Sequence, residues 1–245
     1  MFNEGEWYDP AQRRHHEQHF LAFFRARCAN LLLSNSDHIT ADEPHRDRKV
    51  DVVSLHPKGW TGQSAVFVRG FKVRPPKPYL YSEPVPEFDG DQPTLAEVRR
   101  SVWETALAGA GWVNQNDPSF GWDPRAAISA RAAARDRAYD YAGHCARFFN
   151  QSGVRFWEMA PAGKLASTGL CLARAGEEYV VYSPTGDRFT LDLSAQRNAR
   201  FAMRWFDPRS GEFHRENPVS AGELNTAFTP PFAGDAVLHL KRILP

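Results

Sequence analysis

Four short apolar runs alternate with helix-type patterns up to about residue 155, and each run stops at polar or ionisable side chains. Leu31-Leu32-Leu33 leads into Ser34-Asn35, and Val50 to Leu55 leads into His56-Pro57. Tyr79-Leu80-Tyr81 leads into Ser82-Glu83, and Ala108 to Val113 into Asn114-Gln115-Asn116. Apolar residues that continue without alternation suit strands covered on both faces, as in a parallel sheet. Strands alternating with helices argue for βαβ units, and parallel pairing brings the C-terminal ends of the strands to one edge. Barrels and doubly wound sheets carry their sites at that edge. The third run is the most sharply bounded. Pro78 and Pro84 confine it to a strand of about six residues, since neither continues a helix, and the strand delivers Glu83 at its tip.

The intervening segments read as helices. Asp9-Pro10 has the form of an N-cap followed by proline at the first helical position, and Phe20, Leu21, Phe23, Phe24 and Cys28 form the apolar face that follows. Between Gly62 and Arg74, Ala65, Phe67, Val68 and Phe71 fit a helix face, while Val66-Phe67-Val68 also fits a short strand; helix is the preferred reading. Thr94-Leu95-Ala96-Glu97 is a capping box, with Leu95, Val98, Val102 and Ala106 as the buried stripe behind it. An Ala-rich helix is expected from about Ala126 to Asn150.

From about Ala160 the pattern changes. Leu170 to Leu172, Tyr179 to Tyr182, Phe189 to Leu193, Phe201 to Phe206 and Ala236 to Leu240 read as short alternating strands. Turn signals separate them, among them Pro184-Thr185-Gly186-Asp187 and Asp207-Pro208-Arg209-Ser210-Gly211. The expectation is an all-β module of about 80 residues, a small antiparallel sandwich. The fold class is thus α/β plus all-β, divided near Pro161-Ala162-Gly163 into residues 1–160 and 161–245.

Composition excludes several classes of function. With 30 basic against 29 acidic residues, the net charge of +1 gives no electrostatic footprint for nucleic acid or an anionic membrane. No apolar run approaches the ~20 residues of a membrane span. Three widely spaced cysteines, Cys28, Cys145 and Cys171, rule out a disulfide framework and a zinc knuckle and read as buried or partly buried free thiols. His15, His16 and His19 include an i, i+4 pair of the kind that holds zinc; without a nearby third ligand they read as a solvated helix face. Glu87, Asp89 and Asp91 read as a solvated loop. No metal site and no cofactor are nominated. Phe2-Asn3-Glu4 directly after Met1 lacks the basic and apolar regions of a signal peptide, which leaves the compartment open.

Asn3-Glu4 resembles the Asn-Glu pair at the end of the fourth strand in the large retaining clan of (β/α)8 glycoside hydrolases, the cellulase-like enzymes. Lys77-Pro78-Tyr79-Leu80-Tyr81-Ser82-Glu83 is similar to that clan's seventh strand, which carries the nucleophile. Asn35 would then end strand five, His56 strand six, and Trp112 would match the tryptophan of strand eight. The C-terminal residues resemble the β-module often appended to such barrels and catalogued as collagen-binding, especially Glu178 to Pro184, Arg204-Trp205-Phe206-Asp207-Pro208 and Asp235 to Leu240. The resemblance implies the C-terminal half of a TIM barrel, about four strands, followed by an accessory β-domain. It also implies a carbohydrate substrate, Glu83 as nucleophile and Glu4 as acid/base. Asn3 would bond the sugar 2-hydroxyl, Asn35 and His56 would line the site, and Trp112 would stack on the sugar ring. Strands one to three would lie upstream, so the chain is expected to be part of a longer protein and inactive alone. The competing expectation is a non-catalytic carbohydrate- or matrix-binding protein.

Overall fold

A computed structural model of the chain describes residues 10–28, 30, 32–34, 46, 48–55, 61–82, 94–113, 128–195, 198–215, 218–220 and 224–243. Its first elements are helix α1 (Pro10–Arg27), strand β1 (Val53–Leu55), α2 (Ser64–Phe71), β2 (Tyr79–Tyr81), α3 (Leu95–Leu107), β3 (Gly111–Trp112) and α4 (Ile128–Gln151). Strands β1, β2 and β3 form a parallel sheet in chain order, with Val53 opposite Tyr79 and Leu80 opposite Gly111. The ladder continues past the strand ends. Ser82 N–H donates to the Leu55 carbonyl and Val113 N–H to the Tyr81 carbonyl, both at 3.0 Å.

Local chemistry explains the helices. Thr94 Oγ1 accepts from Glu97 N–H at 3.2 Å and the Glu97 carboxylate accepts from Thr94 N–H at 2.8 Å, so both halves of the capping box form. The ambiguous segment is the helix α2. Its Phe67 packs on Tyr81 with ring centroids 5.4 Å apart, and Gly70 lets the helix close on β2. A Cβ at Gly70 would stand 2.4 Å from the ring of the buried Tyr79.

The first apolar run departs from expectation. Leu32 and Leu33 form no strand, Leu32 is 78% exposed, and only Ser34 reaches the sheet, as a single parallel bridge to Val52. Asp51 supplies the reason. Its carboxylate accepts from Leu33 N–H at 2.8 Å while its own N–H donates to the Leu33 carbonyl at 2.7 Å. Arg25 of α1 holds the same carboxylate, so a side chain replaces a ladder partner.

The C-terminal strands are β4 (Ala160–Pro161), β5 (Cys171–Arg174), β6 (Glu178–Ser183), β7 (Phe189–Leu191), β8 (Arg200–Asp207), β9 (Glu212–Arg215), β10 (Val219–Ser220), β11 (Thr226–Phe228) and β12 (Ala236–Ile243). Seven of them make one antiparallel sheet in the order β10-β8-β12-β6-β5-β4, with β9 also on β8; β11 pairs with β7 separately. Strands β4, β9, β10 and β11, two to four residues long, went unrecognised in the sequence. Such lengths show no periodicity.

The expected alternation also needs correcting, because both faces of this sheet are covered. β6 is buried at all six positions. Tyr179, Val181, Trp205 and Leu238 face a core closed by Phe189 and Leu191 of β7 and Phe228 of β11. Val180, Tyr182, Phe206 and Val237 face a second core whose other wall is Val102 and Trp103 of α3 with Cys145 and Phe148 of α4. Side chains do alternate, but between two apolar interiors. Helices from the first part of the chain form one of the two covering layers. β4 belongs to the sheet although Ala160 precedes the division expected near residue 161.

A buried ion pair fastens the two parts together. Arg99 Nε and Nη2 on α3 each lie 2.7 Å from the Asp235 carboxylate, just ahead of β12. The Tyr182 hydroxyl donates to Asp235 Oδ2 at 2.9 Å, and the Tyr141 ring lies 4.7 Å from the guanidinium. Removing one member of such a pair leaves an uncompensated buried charge, so Asp235→Asn should cost about 3–5 kcal/mol in urea unfolding. The double variant Arg99→Leu/Asp235→Leu should lose less than Arg99→Leu and Asp235→Leu lose when summed. Additive losses would contradict the pairing.

Candidate functional site

The parallel register brings Leu55, Ser82 and Val113 to one edge of the sheet, and Ser34 enters it in the same direction beside Val52. Asn35, His56 and Glu83 are the next residues after Ser34, Leu55 and Ser82. These three, with Asn3 and Glu4, lie outside the described residues; the strands before His56 and Glu83 and the bridging Ser34 before Asn35 lie within them.

The faces of the sheet follow from the pleat. Val53, Leu55, Tyr79 and Tyr81 pack with Leu21 of α1, Phe67 of α2 and Ala108, so they face the helices. Ser54, Leu80 and Ser82 alternate with them and face the other way. There the Ser54 hydroxyl donates to Ser82 Oγ at 2.8 Å, which donates to the Leu55 carbonyl at 3.1 Å, and both serines are buried. Ser82 is therefore tied to β1 through its N–H and its hydroxyl, which fixes the backbone directly before Glu83. Sequence reasoning missed this pair. Serines inside two apolar runs were the available signal, but their pairing needs the register.

Trp112 is the one nominated residue among those described. It lies opposite Tyr81, so its side chain is on the helix face. Its indole N–H donates to Ser101 Oγ of α3 at 3.0 Å, and the ring packs on both the α3–α4 core and the β1–β2 core. The opposite face at this level belongs to Gly111, across from Leu80. The stacking role expected for Trp112 does not fit this orientation; its ring supports β3 from behind.

Other polar clusters have structural partners. A cleft of about 410 Å³ lies between α2, the end of α3 and residues 161–165, lined by Val68, Lys72, Leu107, Pro161 and Lys164 among others. None of its lining residues belongs to a parallel strand. Glu104 on its wall is engaged by Arg100 Nε at 2.7 Å and Gly62 N–H at 2.6 Å. Burial pushes the Cys171 thiol up to about 12 and raises Cys145 as well, which keeps both protonated. Among the described residues no three metal-ligating side chains converge, and no helix is long and apolar enough to cross a membrane.

A second buried ionisable cluster spans β6, β12 and β8. A guanidinium only donates, so His239 Nδ1, 3.0 Å from Arg204 Nη2, accepts, and Nε2–H donates to Glu178 Oε1 at 2.9 Å. Arg204 also donates to the Ser152 carbonyl at 2.6 Å and Lys241 to the Gly153 carbonyl at 2.9 Å. These carbonyls stand just past the end of α4, so the cluster clips that helix to the sheet. Burial, reinforced by Arg204, lowers the His239 pKa against the opposing bond to Glu178. Burial would raise Glu178, but the bonds from His239 and Arg155 N–H outweigh it and hold the carboxyl below its ordinary range. Neutral imidazole beside carboxylate satisfies both directions.

Solved structures share this fold. One described as "Glycoside hydrolase" superposes with a TM-score of 0.74 at 16% identity, covering 94% of this chain and 61% of its own. A glycoside hydrolase family 5 crystal structure from Bacteroides vulgatus ATCC 8482 gives 0.73 at 16% identity, covering 91% of this chain and 58% of its own. The chain therefore spans about three fifths of the length of these structures. Residues 163–241 match the family described as "Putative collagen-binding domain of a collagenase". No curated protein sequence matches the chain significantly. Both parts of the resemblance drawn from sequence are thus found: the fold of glycoside hydrolase structures, and a C-terminal domain of collagen-binding type.

The buried histidine sets a pH dependence. Its folded pKa lies below the unfolded value of about 6.5, so the unfolded chain takes up the proton first and stability falls as pH drops through that value. Glu178 extends the loss as pH falls through the carboxylate range. Tm measured between about pH 8 and 5 should fall on the acid side. His239→Gln keeps a donor toward Glu178 but does not titrate, so its curve should be flatter between about pH 7 and 5; an unchanged slope would contradict the assignment.

Proposed function

We propose that the chain is the C-terminal half of a (β/α)8 retaining glycoside hydrolase, residues 1–160, with an accessory β-domain, residues 161–245. The observation that carries this reading is the fold likeness to glycoside hydrolase structures over 94% of the chain. It is supported by the parallel strands β1 and β2, which lead towards His56 and Glu83, and by the parallel bridge of Ser34, which precedes Asn35. In this reading Glu83 attacks the anomeric carbon of a poly- or oligosaccharide. Glu4 gives its proton to the leaving glycosidic oxygen, and a covalent glycosyl-enzyme forms. Glu4 then takes a proton from the water that hydrolyses it; a retaining mechanism of this kind requires its two carboxyl groups to be about 5–5.5 Å apart. Asn3 bonds the 2-hydroxyl, while Asn35 and His56 line the site. The Ser54–Ser82 hydroxyl chain holds the strand end that presents Glu83. Trp112 acts behind the sheet and leaves the sugar platform to another residue. No cofactor or metal enters this chemistry.

The match of residues 163–241 favours a second reading, a non-catalytic binding protein whose β-domain carries the function. Aryl glycoside assays on the chain, extended by the coding sequence that precedes it, separate the two. Glu83→Ala should abolish turnover. Glu4→Ala should lower it about 10²–10⁴-fold for poor leaving groups, the usual contribution of general acid catalysis. The loss should be much smaller for a dinitrophenyl leaving group, which needs no proton. Unchanged turnover in either variant removes that residue from the mechanism, and no turnover by the extended protein favours the binding reading.

A further inference from the structure

Trp157 is 68% exposed and its neighbour Phe156 is 45% exposed, on a 3-10 turn (Phe156–Glu158) between α4 and β4. The turn is rigidly mounted. Trp157 meets Phe156 edge-on at 5.3 Å, Phe156 meets Phe149 of α4 at 5.8 Å, and Phe149 lies against the buried Trp103 at 6.1 Å. This aromatic ladder begins in the second core and ends with a flat indole in water. Two adjacent exposed aromatic rings on one turn make a larger apolar surface than a single exposed side chain, and larger apolar surfaces are where partners bind.

The rim identifies the partner. From the same turn an unbroken chain of ion pairs crosses the surface: Arg155 to Glu158 at 3.3 Å, Glu158 to Arg174 at 2.5 Å, Arg174 to Glu177 at 3.6 Å and Glu177 to Arg242 at 2.6 Å. Three guanidiniums and two carboxylates nearly cancel, so neither an acidic nor a basic partner gains from them. An apolar partner would have to desolvate all five charges. A molecule with an apolar flat face and hydroxyls at its edge suits both parts. Its C–H face would cover the indole, while its hydroxyls would donate to Glu158 and accept from Arg155 and Arg174.

We propose that Trp157 and the Arg155–Glu158–Arg174 rim form a surface that binds neutral oligosaccharides. It is built from the α4–β4 turn and the β5–β6 end of the antiparallel sheet, none of which contributes to the parallel-strand edge. It does not depend on the proposed glycosidase reading, since a protein without catalytic carboxylates could carry it.

Native gel electrophoresis of the full chain in hydroxyethyl cellulose, glucomannan and β-1,4-galactan tests it, with Tm as a control for folding. The wild type should be retarded by at least one of these neutral polymers. Trp157→Ala should weaken that retardation by at least about tenfold, the loss expected of a truncated aromatic anchor, with its Tm unchanged. Trp157→Phe should retain part of the retardation, and Lys72→Ala, in the cleft beside α2, should retain all of it. No retardation in any of the three polymers, or equal retardation of Trp157→Ala, overturns the proposal. A dimer in sedimentation that Trp157→Ala dissolves without changing retardation also overturns it, by assigning the indole to a protein interface.

Discussion

One buried guanidinium–carboxylate pair, Arg99 with Asp235, joins residues 136 positions apart and makes two differently built parts into one structure. Asp235 precedes β12, the strand about which the antiparallel sheet is arranged between β6 and β8. Arg99 lies on α3, whose opposite end leads into β3 of the parallel sheet. Around the pair, Trp103 collects rings from both sides, with Phe148 at 5.3 Å, Phe206 at 5.8 Å and Tyr182 stacked at 6.0 Å. Burying these aromatic surfaces favours docking of helices on sheet, while the ion pair restricts the register in which they dock. A charge pair this enclosed is costly unless fully bonded, and Tyr182 supplies the extra hydrogen bond.

That constraint bears on the candidate site. α3 is fixed on one side to the antiparallel sheet, and on the other it receives the Trp112 indole through Ser101. β3 is thereby held in place beside β2, and β2 beside β1 through the Ser54–Ser82 hydroxyls. The edge that leads into Asn35, His56 and Glu83 thus rests on a chain of contacts running back to β12. The β-domain acts as a structural support for the parallel sheet, in addition to any binding of its own.

The locally encoded features were legible in the sequence. Thr94 and Glu97 are three residues apart and need nothing else to form their box. Prolines bounded β2, and the alternation of strands with helices pointed to parallel pairing. Features that depend on a distant partner were not legible. Leu31-Leu32-Leu33 reads as a strand until the Asp51 side chain is known to take the Leu33 backbone. Trp112 reads as a site residue until its pairing with Tyr81 turns it toward the helices. β6 reads as one face of a sandwich because periodicity records that a face is apolar without recording what covers it. Glu83 was legible as the residue that ends an apolar run, and Glu4 only through the resemblance of Asn3-Glu4.

Trapping the covalent intermediate tests the catalytic account most directly. The extended protein would be treated with a 2-fluoro glycosyl fluoride of a sugar it hydrolyses, digested, and its peptides weighed by mass spectrometry. The account predicts one glycosyl adduct on the peptide carrying Glu83, because a retaining mechanism passes through an ester of its nucleophile. An adduct mapped to any other residue, or turnover with no trapped adduct, would contradict the assignment of Glu83.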